Sequence, residues 1–462
     1  MALFNIFGRA SGLIRYMLLV GFLSDSQYGL ITFALSFGKL GRTLMDSGLD
    51  NLVSRDGARD HQKVPAFYLH ALAIKGFFGV VSYLIAYLYL HSIRGQTWGE
   101  LTIVFTALVG SLMLSLTGVI RSCFTAIERM EYIFYTNLPV RLISIFLLFI
   151  ALWFSLPLFY SVAAISLENV LWFILLGSVS LRFFSVSRIR LSRSTLRYMF
   201  SESWSLALYG FFTVFYLSLD VIMIEYMMGG TDAVAPYTYA GLLMEGVTML
   251  LTGYIIAVYP VFSRLHVTDD KGYQRLFKQS VIVLTACTIP LSVLLFFWAD
   301  GWMNWIKPTG PLSGRILRIL SFNLVVTMLN TLITIVFTSR NRQRRLIFFT
   351  GFAVTISFLT NWWLIPIYAQ PGAAYATLLS QLIMFAVMSA AARRLFALRF
   401  PVRKPLAIAM VSLLAGGITW LIPGVPLLAV PFLFGVWLLL FVRLFGVLSP
   451  LEMRQLLNAV KP

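Results

Sequence analysis

The sequence predicts an all-α polytopic membrane protein with about fourteen transmembrane helices. Three observations predict it. Apolar runs near the length that spans a bilayer recur along the 462 residues. The chain is 59% hydrophobic and 12% charged, with a mean hydropathy of +0.85. Lys and Arg gather in alternate links between the runs. The net charge of +18 would also suit a nucleic-acid binder, but the basic residues form neither a tail nor a stripe, so no nucleic-acid partner is expected.

The first run, 3–23, contains Arg9 and Arg15 and reads as a retained helix rather than a signal peptide. The turn Ser24-Asp25-Ser26-Gln27 separates it from 28–48, which holds Lys39 and Arg42 and closes on Asp46-Ser47-Gly48. The remaining spans are expected at 65–90, 101–127, 133–154, 158–181, 203–228, 236–262, 279–299, 316–338, 346–368, 372–392, 405–422 and 426–447, parted by links with Gly, Pro, Asn or Asp. Arg55, Arg59, Lys63, Arg129, Arg182–Arg197, Arg264–Lys278, Arg340–Arg345 and Arg393–Lys404 fall on one side, which is assigned to the cytoplasm together with both termini. The longest outer link, 299–314, follows Trp298, carries Trp302 and Trp305, and reads as an interfacial aromatic belt. No link is large enough for a soluble active site. Cys123 and Cys287 both lie in apolar runs, so no structural disulfide is expected.

Tyr28 to Ser54-Arg55 and Tyr237 to Ser263-Arg264 have the same spacing, and Asp25 and Asp232 precede the two tyrosines. This weak repeat suggests two six-helix lobes of the same orientation, as in transporters built from parallel repeats. The expected division is a lobe at 1–182, a basic linker at 183–200, a lobe at 201–395, and two additional helices with a tail at 396–462.

A charge near the bilayer centre costs about 2.5–3.5 kcal/mol on insertion scales, so it is retained for function or paired. Lys39, Arg42 and Asp46 are spaced i, i+3, i+7 and share a helix face. Arg15, Lys75 and Arg141 lie at comparable depth, against Asp46 and Glu168. The positive surplus suggests a cavity that receives an anion, with snorkelling as the alternative for Arg9, Arg121 and Arg141. The second lobe carries acids instead, Asp220 and Glu245, suited to binding a cation or pairing with an arginine; Glu225 is expected to reach solvent at the outer end. The four histidines lack metal-ligand spacing and no phosphate-binding Gly-rich Lys-Ser/Thr loop occurs, so neither a metal cofactor nor an enzyme is expected.

Several motifs resemble a known family. Tyr28-Gly29-Leu30, Met45-Asp46-Ser47-Gly48-Leu49 and Ser54-Arg55 are similar to the opening of bacterial Wzx-type polysaccharide flippases, of the multidrug/oligosaccharidyl-lipid/polysaccharide exporter superfamily. Leu219-Asp220-Val221-Ile222, Tyr237-Thr238-Tyr239-Ala240, Tyr259-Pro260-Val261-Phe262-Ser263, and Ile365-Pro366 followed by Gly372-Ala373-Ala374-Tyr375 extend the likeness to about residue 395. The resemblance implies two lobes around a central cavity, alternating access, and an undecaprenyl-diphosphate-linked oligosaccharide carried across the bacterial inner membrane. The diphosphate would then meet Arg15, Lys39, Arg42 and Lys75. Related lipid II flippases imply a Na⁺ site, for which Asp220, Asn361 and Thr377 occupy comparable places; Ile365 stands where a second carboxylate would, and Glu245 lies near where an eighth-helix arginine would. The expected partners are the lipid-linked oligosaccharide, membrane lipids, and a polysaccharide polymerase and glycosyltransferases, with Na⁺ or H⁺ as coupling ion. The alternatives are a multidrug/cation antiporter of the same fold, for which the first lobe is too cationic, and a membrane-embedded glycan polymerase or glycosyltransferase, which would need a catalytic outer loop.

Overall fold

The computed structural model describes residues 2–444 apart from 47, 94–97, 185–190, 308–310, 341 and 343. The described residues are overwhelmingly helical. Eleven of the described helices are long and apolar enough to cross a membrane, against the fourteen or so expected. The chain opens with α1 (Ala2–Phe22) and α2 (Asp25–Asp46), and Lys39 and Arg42 interrupt the apolar run of α2. The last helix is described over Val430–Leu444.

The chain divides into two compact units, Met1–Ala235 and Pro236–Pro462. The first contains α1, α2, α3 (Leu49–Arg59), α4 (Val64–Tyr87), α5 (Trp98–Ala126), α6 (Glu131–Trp153), α7 (Leu158–Phe183) and α8 (Arg193–Met228), the helix with which the second expected lobe begins. Its core gathers Leu52, Phe67, Phe124, Trp172 and Leu176 from α3, α4, α5 and α7. Helix α8 starts ten residues before the expected span. Ser192 caps it by accepting from the Thr195 N–H at 3.2 Å, which draws Arg193 and Arg197 out of the expected basic link and into a helix. The rest of that link, 185–190, lies outside the described residues.

The second unit is built from α9 (Ala235–Thr268), α10 (Asp270–Phe297), α11 (Ala299–Ile306), α12 (Pro311–Ser339), α13 (Arg344–Tyr368), α14 (Gln370–Phe396), α15 (Arg403–Leu421) and α16 (Val430–Leu444). The expected outer link at 299–314 contains α11, held to α12 by an ion pair between Asp300 and Arg318. Helices α15 and α16 pack on α10 through Val293, Leu294, Ala415, Val430 and Phe434. Tyr28 and Tyr237, the paired tyrosines of the weak repeat, are both buried in the first turn of their helices. Both cysteines are free.

Candidate functional site

Helix α2 ends at Asp46, and α3 begins at Leu49 after Gly48, whose φ of 68° lies in the left-handed region that a glycine adopts without a Cβ penalty. The break returns a second carboxylate, Asp50, towards the first. Both carboxylates meet Lys75 of α4, which is 0% exposed. Its Nζ donates to Asp46 Oδ1 at 2.9 Å, to Asp50 Oδ1 at 2.7 Å and to the Ser115 carbonyl at 2.8 Å. An ammonium has three N–H groups, so none remains for a ligand. Asp46 also accepts from the Ser115 hydroxyl at 2.6 Å and from Arg42 Nε at 3.1 Å. Helix α5 can lie this close because position 118 is glycine; a Cβ there would collide with the Asp50 carboxylate.

Arg15 belongs to a separate ion cluster. Its Nη1 donates to Glu168 Oε2 at 2.6 Å, while Arg141 Nε donates to Glu168 Oε1 at 2.9 Å. Glu168 is only 3% exposed, and the group joins α1, α6 and α7 around one carboxylate with one positive charge in excess. Arg141, expected to have snorkelling as an alternative, is therefore an ion-pair member. Lys39 differs from all of these. It is exposed on α2 and has no acidic partner among the described residues. Arg42 gives only Nε to Asp46, and its side chain is 36% exposed. Of the four residues expected to meet the diphosphate, the structure thus joins Arg42 to Lys75 through Asp46, places Lys39 one turn from Arg42 on α2, and puts Arg15 in another cluster.

Sequence reasoning missed Asp50, which reads as one more turn residue. A signal was available: a lysine in mid-span needs its charge compensated, and Asp50 is the next acid after Asp46, four residues on. It also missed the burial of Glu225, which is not solvated at the outer end but enclosed.

The expected ion-coupling residues divide between the units. Asp220 is buried on α8 of the first. In the second, Glu245 is exposed on α9, Asn361 of α13 is buried and donates from Nδ2 to the Ser357 carbonyl at 2.9 Å, and the Thr377 hydroxyl of α14 lies 3.2 Å from that of Tyr237. No group of three or more metal-ligating side chains occurs among the described residues.

Beside the basic link, Asp56 of α3 accepts from Arg55 Nε at 2.8 Å and from the Tyr198 hydroxyl at 2.8 Å, tying α3 to α8. The Arg55 hydrogen bond holds the Asp56 carboxyl below the usual carboxylate range, despite partial burial acting the other way. A depressed folded-state value stabilises above the unfolded value and loses that contribution as pH falls through the folded one. The detergent-solubilised protein should therefore lose thermal stability on the acid side of pH 4, and Asp56→Asn should flatten that loss. An acid limb unchanged in Asp56→Asn would assign it to other carboxylates.

The chain matches the family model described as "Polysaccharide biosynthesis protein" over residues 1–266, more than half its length, and the MatE model over residues 206–363. Comparison with curated proteins finds no match. Among solved structures, a lipid II flippase MurJ in an inward closed conformation superposes with a TM-score of 0.79 at 14% identity, covering 96% of this chain and 99% of that one. An inward-facing multidrug resistance MATE family transporter of the MOP superfamily gives 0.64 at 14% identity, covering 84% and 94%. A MOP superfamily transporter from Pyrococcus furiosus, described as having a binding pocket of reverse polarity, gives 0.61 at 12% identity, covering 85% and 93%. At these identities the likeness is one of fold.

Proposed function

The chain belongs to the polysaccharide biosynthesis protein family, and from that premise we propose that it is a flippase for diphosphate-linked oligosaccharide lipids, working by alternating access in the bacterial inner membrane. The observation that carries this reading is the cationic face of α2. Lys39 stands there without an acidic partner, and Arg42 is committed to Asp46 through one nitrogen only. A diphosphate supplies the missing negative charge, and Lys39 and Arg42 are its contact residues. Lys75 is a positioning residue, since its three N–H groups are already used. Arg15 and Arg141, sharing Glu168, add a second positive pole that attracts the anion at longer range. The glycan would stay in water and the prenyl chain in lipid.

Gentle purification followed by mass spectrometry of bound lipid tests the substrate class. A co-purifying prenyl diphosphate oligosaccharide is expected, and retention of ordinary phospholipid alone would contradict it. Orientation is tested separately. A cysteine beside Arg399 should react with an impermeant reagent only from the cytoplasmic side, and reaction from the periplasm would invert the topology.

A second reading, a cation-coupled antiporter, is favoured by the MatE match and by Asp220, a carboxylate buried on α8. The two readings share one test. If Asp220 carries a coupling Na⁺ or H⁺, Asp220→Asn should abolish the gradient dependence of transport while the protein remains folded. An unaltered gradient dependence makes Asp220 structural.

A further inference from the structure

Helix α8 and helix α4 run side by side from the basic side inwards. The Ser192 N–H donates to His70 Nε2 at 2.9 Å, while His70 Nδ1 lies 2.7 Å from the Ala66 carbonyl. His70 is thereby fixed as the tautomer with its proton on Nδ1. Eight residues further on in each helix, the Phe78 and Phe200 rings stack at 6.5 Å with an interplanar angle of 7°. Between these two ties the helices leave an open groove of about 610 Å³. That is within the range of small-molecule sites, roughly 300–1,000 Å³.

The groove is amphipathic in one direction. Arg193 and Arg197 line it from α8, one turn apart on the same face, both exposed and neither with an acidic partner among the described residues. Phe77, Phe78 and Phe200 supply its apolar wall, and Phe77 is 66% exposed. The apolar stretch of α8 follows Glu202, the last charged residue before it. At 1.5 Å per residue, Arg193 lies about 15 Å and Arg197 about 9 Å before position 203 along the helix, at headgroup level. Trp204, ring to ring with Phe200 at 5.9 Å, marks the interface below them.

We propose that this groove is a binding site for an anionic phospholipid of the leaflet on the basic side. Its phosphate lies between Arg193 and Arg197, and an acyl chain rests on Phe77, Phe78 and Phe200. Guanidinium groups suit a phosphate because they offer several donors in a fixed fork, and two of them on consecutive turns can share one phosphate. A neutral lipid would satisfy the aromatic wall and leave both charges uncompensated. A free anion would satisfy the charges and leave the wall wet. The site is separate from the α2 face assigned to the diphosphate, so its test does not depend on transport.

The test is binding of fluorescent phosphatidylglycerol to the full chain in neutral-lipid nanodiscs. Arg193→Gln/Arg197→Gln should weaken binding about thirtyfold, from about one kcal/mol per cation near an anionic headgroup. Arg344→Gln/Arg345→Gln removes the same net charge from an exposed basic pair elsewhere and should leave binding near wild type. Equal weakening in both double variants would reduce the effect to overall charge and overturn the site. Displacement of the probe by inorganic phosphate, or equal binding of phosphatidylcholine, would overturn the lipid assignment. A photoactivatable phosphatidylglycerol on the wild-type chain needs no variant; it should crosslink within 73–78 and 193–200, and crosslinks confined to other helices would refute the proposal.

Discussion

Lys75→Met is expected to destabilise the protein by about 3–5 kcal/mol, the cost of breaking a buried ion pair from one side. The substitution preserves much of the side-chain volume, so the loss is electrostatic rather than a cavity effect. It strands Asp46 and Asp50 with no ammonium between them, and leaves the Ser115 carbonyl without its donor. Asp46 keeps Arg42 and the Ser115 hydroxyl. The Asp50 carboxylate accepts one hydrogen bond among the described residues, from Lys75, so Asp50→Asn in the Lys75→Met background should recover part of the loss. Chaotrope or thermal unfolding in detergent, read as monodisperse fraction by size exclusion, measures all three proteins. A Lys75→Met variant as stable as wild type would show that the triad is not what holds α2, α3, α4 and α5 together.

Lys39→Ala should do the opposite: leave folding intact and stop transport. Its side chain is exposed and makes no ion pair among the described residues, so little stability is lost. Loss of one charge contact to an anion bound in a partly desolvated site costs about 2–5 kcal/mol, a thirtyfold or greater loss of affinity. Lys39→Arg should retain part of the activity and Lys39→Glu should abolish it. Surface-polysaccharide export, with accumulation of lipid-linked repeat units in the membrane, measures the series. Arg121→Ala serves as the comparison and should export normally. If Lys39→Ala exports as well as wild type while Arg42→Ala does not, the contact belongs to Arg42 alone; if both export normally, the anion face is elsewhere.

Much of the fold is legible in the sequence because apolar length and alternate basic links survive whatever the helices pack against. The start of α8 was not legible. Its first two turns are basic and half exposed, and the Ser192 cap, with its backbone N–H held by His70, marks where they begin. The site was legible in composition but not in pairing. Lys39, Arg42 and Asp46 announce a charged face by their spacing, whereas the Lys75 triad depends on a left-handed turn at Gly48 and a close approach at Gly118. Glu168 was visible as a counter-charge, but its capture of both Arg15 and Arg141 requires three helices to meet, which periodicity does not encode. The lesson for intramembrane charges is that depth alone does not separate a ligand contact from a structural ion pair. Counting the donors already used does.

On the proposed function, this chain moves a diphosphate-linked glycolipid across the bilayer with Lys39 in contact with the diphosphate. Reconstitution into sealed liposomes tests it directly, with a prenyl diphosphate oligosaccharide placed in one leaflet and an impermeant glycan-modifying reagent on the other side. Wild-type protein should make the glycan accessible to the reagent, and Lys39→Ala should not. A glycan that stays protected with wild-type protein, in vesicles where the same protein exchanges a cationic drug for Na⁺ or H⁺, would contradict it.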